Sequence, residues 1–213
     1  DRFIVDFVCI EKKFIVEVGC NDGGFIKSLI RHKFNALGVD PAENIVKPLI
    51  KKGLPIINEY FNMETAKSIV KKYGHADAIY SFHSLAHIED MQDVIRGIKH
   101  LLKKKGYLAL EVHYLGDLIK ETQYDMIYHE HQFYYSLLSL KNFFSSFRME
   151  IFDVKKVDIR GGSMMYYVQH KSGGRNVTEN VKNLAIYEKK LRLDDVVTYK
   201  IFSKKIQKNK TQL

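Results

Sequence analysis

Phe14-Ile15-Val16-Glu17-Val18-Gly19-Cys20-Asn21-Asp22-Gly23 decides the fold. Its first five residues form an apolar run interrupted by a single acid, which suits a short strand buried on both faces of a parallel sheet. The glycines and the Asn-Asp pair then break the strand where the chain must turn. From Gly23 to Arg31, Phe25, Ile26, Leu29 and Ile30 recur at helical spacing, so a helix follows directly. A strand, a tight glycine turn and an amphipathic helix make up the first half of a βαβ unit.

Outward from this segment the rhythm repeats. The spacing predicts strands at 35–40, 54–57, 76–82 and 107–112, alternating with helices over 43–51, 63–72 and 91–102. Strands separated by helices of this length imply right-handed crossovers and a parallel sheet. After Val112 the pattern changes. Residues 114–135 are rich in Tyr and His and weakly periodic, which predicts a loop with a short helix, and a helix over 136–147 follows. Residues 149–159 and 163–170 read as two strands joined across Gly161-Gly162. That join is too short for a crossover helix, so the pair is expected to be antiparallel. The expectation is an α/β fold with a seven-stranded sheet: five parallel strands and a C-terminal antiparallel hairpin. Residues 176–212 read as one or two helices without a partner sheet. The division expected is a ligand-binding domain over 1–172 and a basic helical extension over 173–213, read as the start of a further domain.

Composition agrees with a globular chain: 213 residues, 46% hydrophobic and 28% charged. No apolar run approaches the roughly 18 residues that span a bilayer, and Asp1-Arg2-Phe3 does not open a signal peptide. Cys9 and Cys20 lack metal-type spacing and read as free thiols, which points to a reducing, cytoplasmic setting. Asp1 in place of an initiator Met suggests that the sequence begins inside a longer protein. The net charge of +9 is unevenly placed, because residues 155–213 hold 14 basic and five acidic side chains while 1–154 balance. A basic tail can meet nucleic acid, but lysines alternating with apolar residues at helical spacing read first as a solvated helix face.

In a doubly wound sheet the ligand sits beyond the carboxyl end of the first strand. Glu17, Gly19, Cys20, Asn21, Asp22 and Gly23 occupy that position, with the glycines allowing close backbone approach. Asp40 ends the second strand about 20 residues on, the spacing at which an acid holds ribose hydroxyls. The full G-x-G-x-x-G of dinucleotide binding is missing. Glu17 instead favours a cationic ligand, and S-adenosyl-L-methionine carries both a sulfonium and an ammonium. Pro41, Phe61, Ser81, Phe82 and His83 complete the expected cofactor set.

The segments Val16–Gly23, Gly38-Val39-Asp40-Pro41 and Ser84-Leu85-Ala86-His87-Ile88-Glu89-Asp90 resemble the sugar C-methyltransferases that act on nucleotide-linked keto-deoxysugars. So does Tyr124-Asp125-Met126-Ile127-Tyr128-His129-Glu130-His131, followed by Tyr134, Ser136-Leu137 and later Gly161-Gly162-Ser163. The resemblance covers roughly residues 14–170 and implies a Rossmann-like class I methyltransferase. Members of the family carry a cysteine-rich zinc module before this region and another α/β domain after it; neither is found in this stretch. Where the family commonly has His before the Gly-Gly-Ser turn, this sequence has Arg160.

The resemblance implies methylation of a carbon beside a ketone, which needs a base for the α-proton. A histidine titrates near neutrality and suits the task. His131 is the expected base, Glu130 its orienting group or a sugar ligand, and Tyr128 the donor to the developing oxyanion. His87 is expected to touch the sugar. His129, Glu111, Arg160 and Ser163 are expected substrate contacts. His83, His87, His129 and His131 as metal ligands is the weaker reading, because residue 83 lies at a strand end and not on a helix.

Three rival functions share or approach this fold. One is O- or N-methylation of a sugar or other small metabolite. Another is nucleic-acid methylation, opposed by Ser81-Phe82-His83-Ser84 standing where base amino-methylases carry Asn/Asp-Pro-Pro-aromatic. The last is a non-catalytic subunit, opposed by the retention of Glu17, Asp40 and His131 together. The expected partner is a small molecule, with no membrane; the oligomeric state is left open.

Overall fold

The computed structural model describes residues 13–158 and 161–211. Seven strands form one sheet in the order β3-β2-β1-β4-β5-β7-β6. They are β1 (Phe14–Val18), β2 (Asn35–Val39), β3 (Ile56–Ile57), β4 (Ala76–Phe82), β5 (Leu102–His113), β6 (Met149–Val157) and β7 (Ser163–His170). The first five run parallel, and β7 lies antiparallel between β5 and β6. Around them are α1 (Gly24–Arg31), α2 (Glu43–Lys51), α3 (Met63–Tyr73), α4 (Met91–Leu101), α5 (Leu115–Lys120), α6 (Leu137–Ser146), α7 (Glu179–Leu191) and α8 (Val196–Lys210). The predicted seven-stranded sheet of five parallel strands and a hairpin is the observed one.

Alternation along the strands builds two cores. On one face Val16, Leu37, Ile79 and Leu108 pack with Ile69 of α3, Ile95 of α4 and Phe144 of α6. On the other, Ile15, Ala78, Tyr80 and Tyr107 meet Ile26 and Leu29 of α1 and Val46 of α2. Tyr80 and Tyr107 share a buried hydroxyl–hydroxyl hydrogen bond of 2.9 Å, so their polar ends are satisfied inside that apolar layer.

Two boundaries differ from the sequence reading. The fifth strand begins at Leu102, directly after α4, because Leu102 pairs with Ala76 before the register shifts and resumes at Tyr107 opposite Ala78. The exposed Lys103-Lys104-Lys105 run hides this from any hydrophobicity pattern. The C-terminal helices also have a sheet to lean on. Val181 of α7 is buried in the main core, with Leu184 and Ala185 packed beside it, so α7 rests on α6 and β6. Among the described residues no helix is long and apolar enough to cross a membrane.

Candidate active site

The crossover from β1 leads to β2 on one side and that from β4 leads to β5 on the other, so a crevice opens between the carboxyl ends of β1 and β4. The turn from Gly19 to Gly23 forms its floor. Gly19 N–H donates to Val39 O at 2.8 Å and Gly23 N–H to Cys20 O at 2.8 Å. Gly19 sits at φ +78°, and a Cβ there would lie 1.9 Å from Ser84 Oγ, so only glycine fits. Asp40 braces the turn: Oδ2 accepts from Asn21 N at 2.9 Å and Oδ1 from Ala42 N at 2.8 Å. Each oxygen keeps a second lone pair, so Asp40 can still accept from a ligand hydroxyl while holding two loops in place. The resulting cleft has a volume of about 800 Å³.

Glu17 is 4% exposed, and among the described residues its Oε2 has no hydrogen-bond partner. Burial, then the nearby charges of Asp22 and Asp40, push its carboxyl up to about 8. A buried acid kept uneasy in this way is matched by a cation entering the cleft, since an opposite charge restores the ionised form. Burial likewise pushes the Cys20 thiol up to about 12, which makes it an inert wall.

A cluster of imidazoles lies at the outer end of the same edge. His131 is 8% exposed. Its Nδ1 lies 3.2 Å from Met126 O and its Nε2 lies 2.8 Å from the Tyr128 hydroxyl. A carbonyl only accepts, so Nδ1 carries the proton and Nε2 of the neutral ring accepts from Tyr128. Burial holds this imidazole below the ordinary value, and the adjacent His87 and His83 lower it further. The His131 ring centroid is 4.9 Å from that of His87 and 5.4 Å from that of His113. His87 is anchored through Nδ1, which donates to Glu130 O at 2.9 Å. His83, at φ +56°, turns inward so that Nε2 lies 2.7 Å from Glu111 Oε1.

Most of the predicted cofactor residues line the cleft: Glu17, Gly19, Cys20, Asn21, Asp22, Asp40, Pro41, Phe61, Phe82 and His83, joined by His87. Gly23 stands just behind, in the left-handed conformation that starts α1. Ser81 is fully buried and does not reach the cleft. Glu111 and Ser163 are at most 1% exposed, so they back the site and are not on its surface. Glu130 contributes its backbone carbonyl to the cluster, while its carboxylate is 63% exposed beside the 91% exposed His129. His87 ends a 3-10 turn, Leu85–His87, and not an α-helix, so His83 and His87 do not stack as helical neighbours. Arg160 lies outside the described residues, as does Cys9. His113 was missed by the sequence reading, although it follows Glu111 by two on a strand and so shares its face. Ser84, which packs against Gly19, and Tyr60 on the cleft wall left no comparable signal.

A family profile described as a methyltransferase domain matches residues 3–150. The chain belongs to the methyltransferase domain family. A second profile, the C-methyltransferase C-terminal domain, matches residues 158–213, so part of the following domain, which the family resemblance by itself did not find in this stretch, is present. C-methyltransferase NovU of Streptomyces niveus is 30% identical over all of this chain and 52% of its own length. A tRNA U34 carboxymethyltransferase of Helicobacter pylori is 30% identical over 48% of this chain and 41% of its own. The chain thus spans about half the length of the curated relatives it matches. Among solved structures, magnesium protoporphyrin IX methyltransferase from Synechocystis with bound SAH shares the fold. Its TM-score is 0.58 at 14% identity, covering 79% of each chain. A SAM-dependent methyltransferase from Archaeoglobus fulgidus aligns with a TM-score of 0.57 at 14% identity, over 74% of this chain and 86% of that one. S-adenosyl-L-methionine is the family's cofactor, and the cleft suits it: an unpartnered buried acid for a cation, and a glycine turn braced by an aspartate.

Proposed function

We propose that this methyltransferase domain methylates a carbon of a nucleotide-linked keto-sugar, with His131 as the general base. The observation that carries the reading is the His131 imidazole, tied through Nδ1 to Met126 O, with its ring centroid 4.9 Å from that of His87, which lines the cofactor cleft. Bound in that cleft, S-adenosyl-L-methionine supplies an electrophilic methyl group.

The chain's own residues do the rest. Glu17 offers its ionised carboxylate to the cofactor's cationic groups, and Asp40 accepts from the ribose. His131 Nε2 removes the proton alpha to the ketone, which leaves an electron pair for the new carbon–carbon bond. The proton then rests on an imidazolium whose Nδ1–H stays fixed to Met126 O. Tyr128, released from Nε2 as the substrate enters, donates its hydroxyl to the carbonyl oxygen where negative charge develops. His87, held by Glu130 O, lies where it can touch the sugar, and the exposed Glu130 and His129 side chains flank the entrance. Burial lowers the His131 pKa from its ordinary value, which favours the unprotonated ring that a base needs. We assign α7 and α8 to the C-methyltransferase C-terminal portion that the second profile marks.

The test is proton exchange. Incubated in deuterated water with a nucleotide-linked keto-deoxysugar, the wild-type chain should exchange the α-proton without cofactor, and His131→Asn should not. Methylation of a hydroxyl with no exchange at carbon would replace this reading with O-methylation.

A further inference from the structure

Glu188 lies on α7, far along the sequence from the site, yet its side chain is fully buried. Its carboxylate accepts from Leu137 N at 2.6 Å and Leu138 N at 2.9 Å, the first two amides of α6. The other two are served locally by a capping box: Ser139 N donates to Ser136 Oγ at 3.1 Å and Ser136 N to Ser139 Oγ at 3.1 Å. All four orphan donors of the helix start are therefore satisfied, half of them by one acid from another segment of the chain. The negative charge also meets the positive end of the α6 dipole.

What α6 starts from is the loop that carries the imidazole. Tyr135, one residue before the Ser136 cap, receives Leu115 N–H on its carbonyl at 2.9 Å and gives its hydroxyl to Leu85 O at 3.1 Å. Gln132 N–H, next to His131, donates to Ala86 O at 2.9 Å. Only four residues separate His131 from Ser136, so the position of the α6 start limits where the ring can sit.

We infer that Glu188 is a positioning residue: by capping α6 it fixes the C-terminal end of the loop that holds Tyr128 and His131. The inference rests on the reading of His131 as the base. It makes α7 more than a prop, because the C-terminal segment then sets the geometry of a site assembled from the first 135 residues. The cofactor cleft is built by β1, β2 and β4 and their loops, none of which Glu188 touches.

The test uses Glu188→Gln and Glu188→Ala in the full chain, with histidines labelled for NMR and the His131 signal assigned through His131→Asn. The groups facing His131 are His83, His87, His113, Tyr128, Tyr134 and Glu130, and none is altered in these variants. S-adenosylhomocysteine affinity, measured by calorimetry, should stay within about two-fold of wild type, since the sites are separate. The His131 titration midpoint should rise toward that of a free histidine as the loop loosens, further in Ala than in Gln, which keeps one acceptor. Turnover should fall at least about tenfold with little change in KM, as expected for misplacement of a catalytic group. A Gln variant that binds S-adenosylhomocysteine normally while His131 titrates as in wild type would overturn the inference. A shifted titration in a protein whose wild type methylates no keto-sugar would uphold the positioning and sink the substrate reading.

Discussion

The hydroxyl of Tyr128 lies 2.8 Å from Nε2 of His131, and the opposite ring nitrogen is tied to Met126 O. The imidazole is thus fixed in one tautomer, with its basic nitrogen covered by a phenol three residues away. Tyr128→Phe uncovers that nitrogen but removes the proposed donor to the oxyanion. α-Proton exchange and methyl transfer should both slow by about 100-fold, the low end for a lost oxyanion donor, because the enolate forms in the exchange step. His131→Asn should lose at least about 100-fold in both. Equal rates for Tyr128→Phe and wild type would remove the phenol from the mechanism.

The pH dependence of turnover follows from the same burial. The proposed base, His131, must be neutral to act, and burial holds its pKa below the ordinary 6.5. Activity should therefore be flat through neutrality and fall only as pH drops below 6.5. The matching stability term has the same sense: the unfolded chain takes up the proton first, so the contribution is present above 6.5 and is lost as pH falls through it. A pH–rate profile whose acid limb lies above 6.5 would point to another base.

Glu17 gives the opposite sign. Its carboxyl rises from 4.5 to about 8 on folding, so the folded chain binds that proton more tightly than the unfolded chain does. Without ligand, this contribution is fullest below 4.5 and is lost as pH climbs to about 8, at up to ~1.4 kcal/mol per pH unit. Cofactor binding should ionise the group and release nearly one proton at pH 7. Calorimetry of S-adenosylhomocysteine in buffers of different ionisation enthalpy measures it, and Glu17→Gln should abolish the release. Release unchanged in Glu17→Gln would assign the proton elsewhere.

Gly19→Ala forces a Cβ to 1.9 Å from Ser84 Oγ at a φ of +78°. The variant should lose about 1–3 kcal/mol in stability and bind S-adenosylhomocysteine poorly. Adding Ser84→Gly removes the clash but leaves the backbone strain, so thermal melts should show partial recovery only.

His83 and Glu111 form a buried pair at 2.7 Å, with the histidine backbone also donating to Glu111 O at 2.8 Å. Removing the imidazole in His83→Ala leaves a carboxylate in the core without its partner and should cost about 3–5 kcal/mol. Glu111→Gln, which stays neutral, should cost less, and a double-mutant cycle on urea midpoints gives the coupling. A coupling near zero would mean that the pair does not act as a unit.

Much of the fold was legible because its signals are local. Phe14–Val18, Asn35–Val39 and Ala76–Phe82 are apolar runs bounded by turn residues, and α1 and α4 announce themselves by spacing alone. The start of β5 was not legible, since Lys103–Lys105 continue a strand that only pairing with β4 can define. The crevice was readable from Glu17, the glycine turn and Asp40, each placed by the order of strands. His113 was overlooked because its one local mark is its place two residues after Glu111; His83 and His131, which flank it, arrive from distant segments.

The sequence by itself determined the alternation of strands and helices and the switch point at which a ligand must lie, because these depend on periodicity and on the types of residues a few positions apart; the Tyr128–His131 block it offered only as a candidate, through a family resemblance. Only the tertiary structure decided that Glu111 and Ser163 sit behind the site, that Glu130 works through its carbonyl, and that Glu188 caps α6 from α7. Those relationships turn on which buried polar groups find partners across the fold. A lone pair aimed at an amide 51 residues away leaves no trace in the order of the letters.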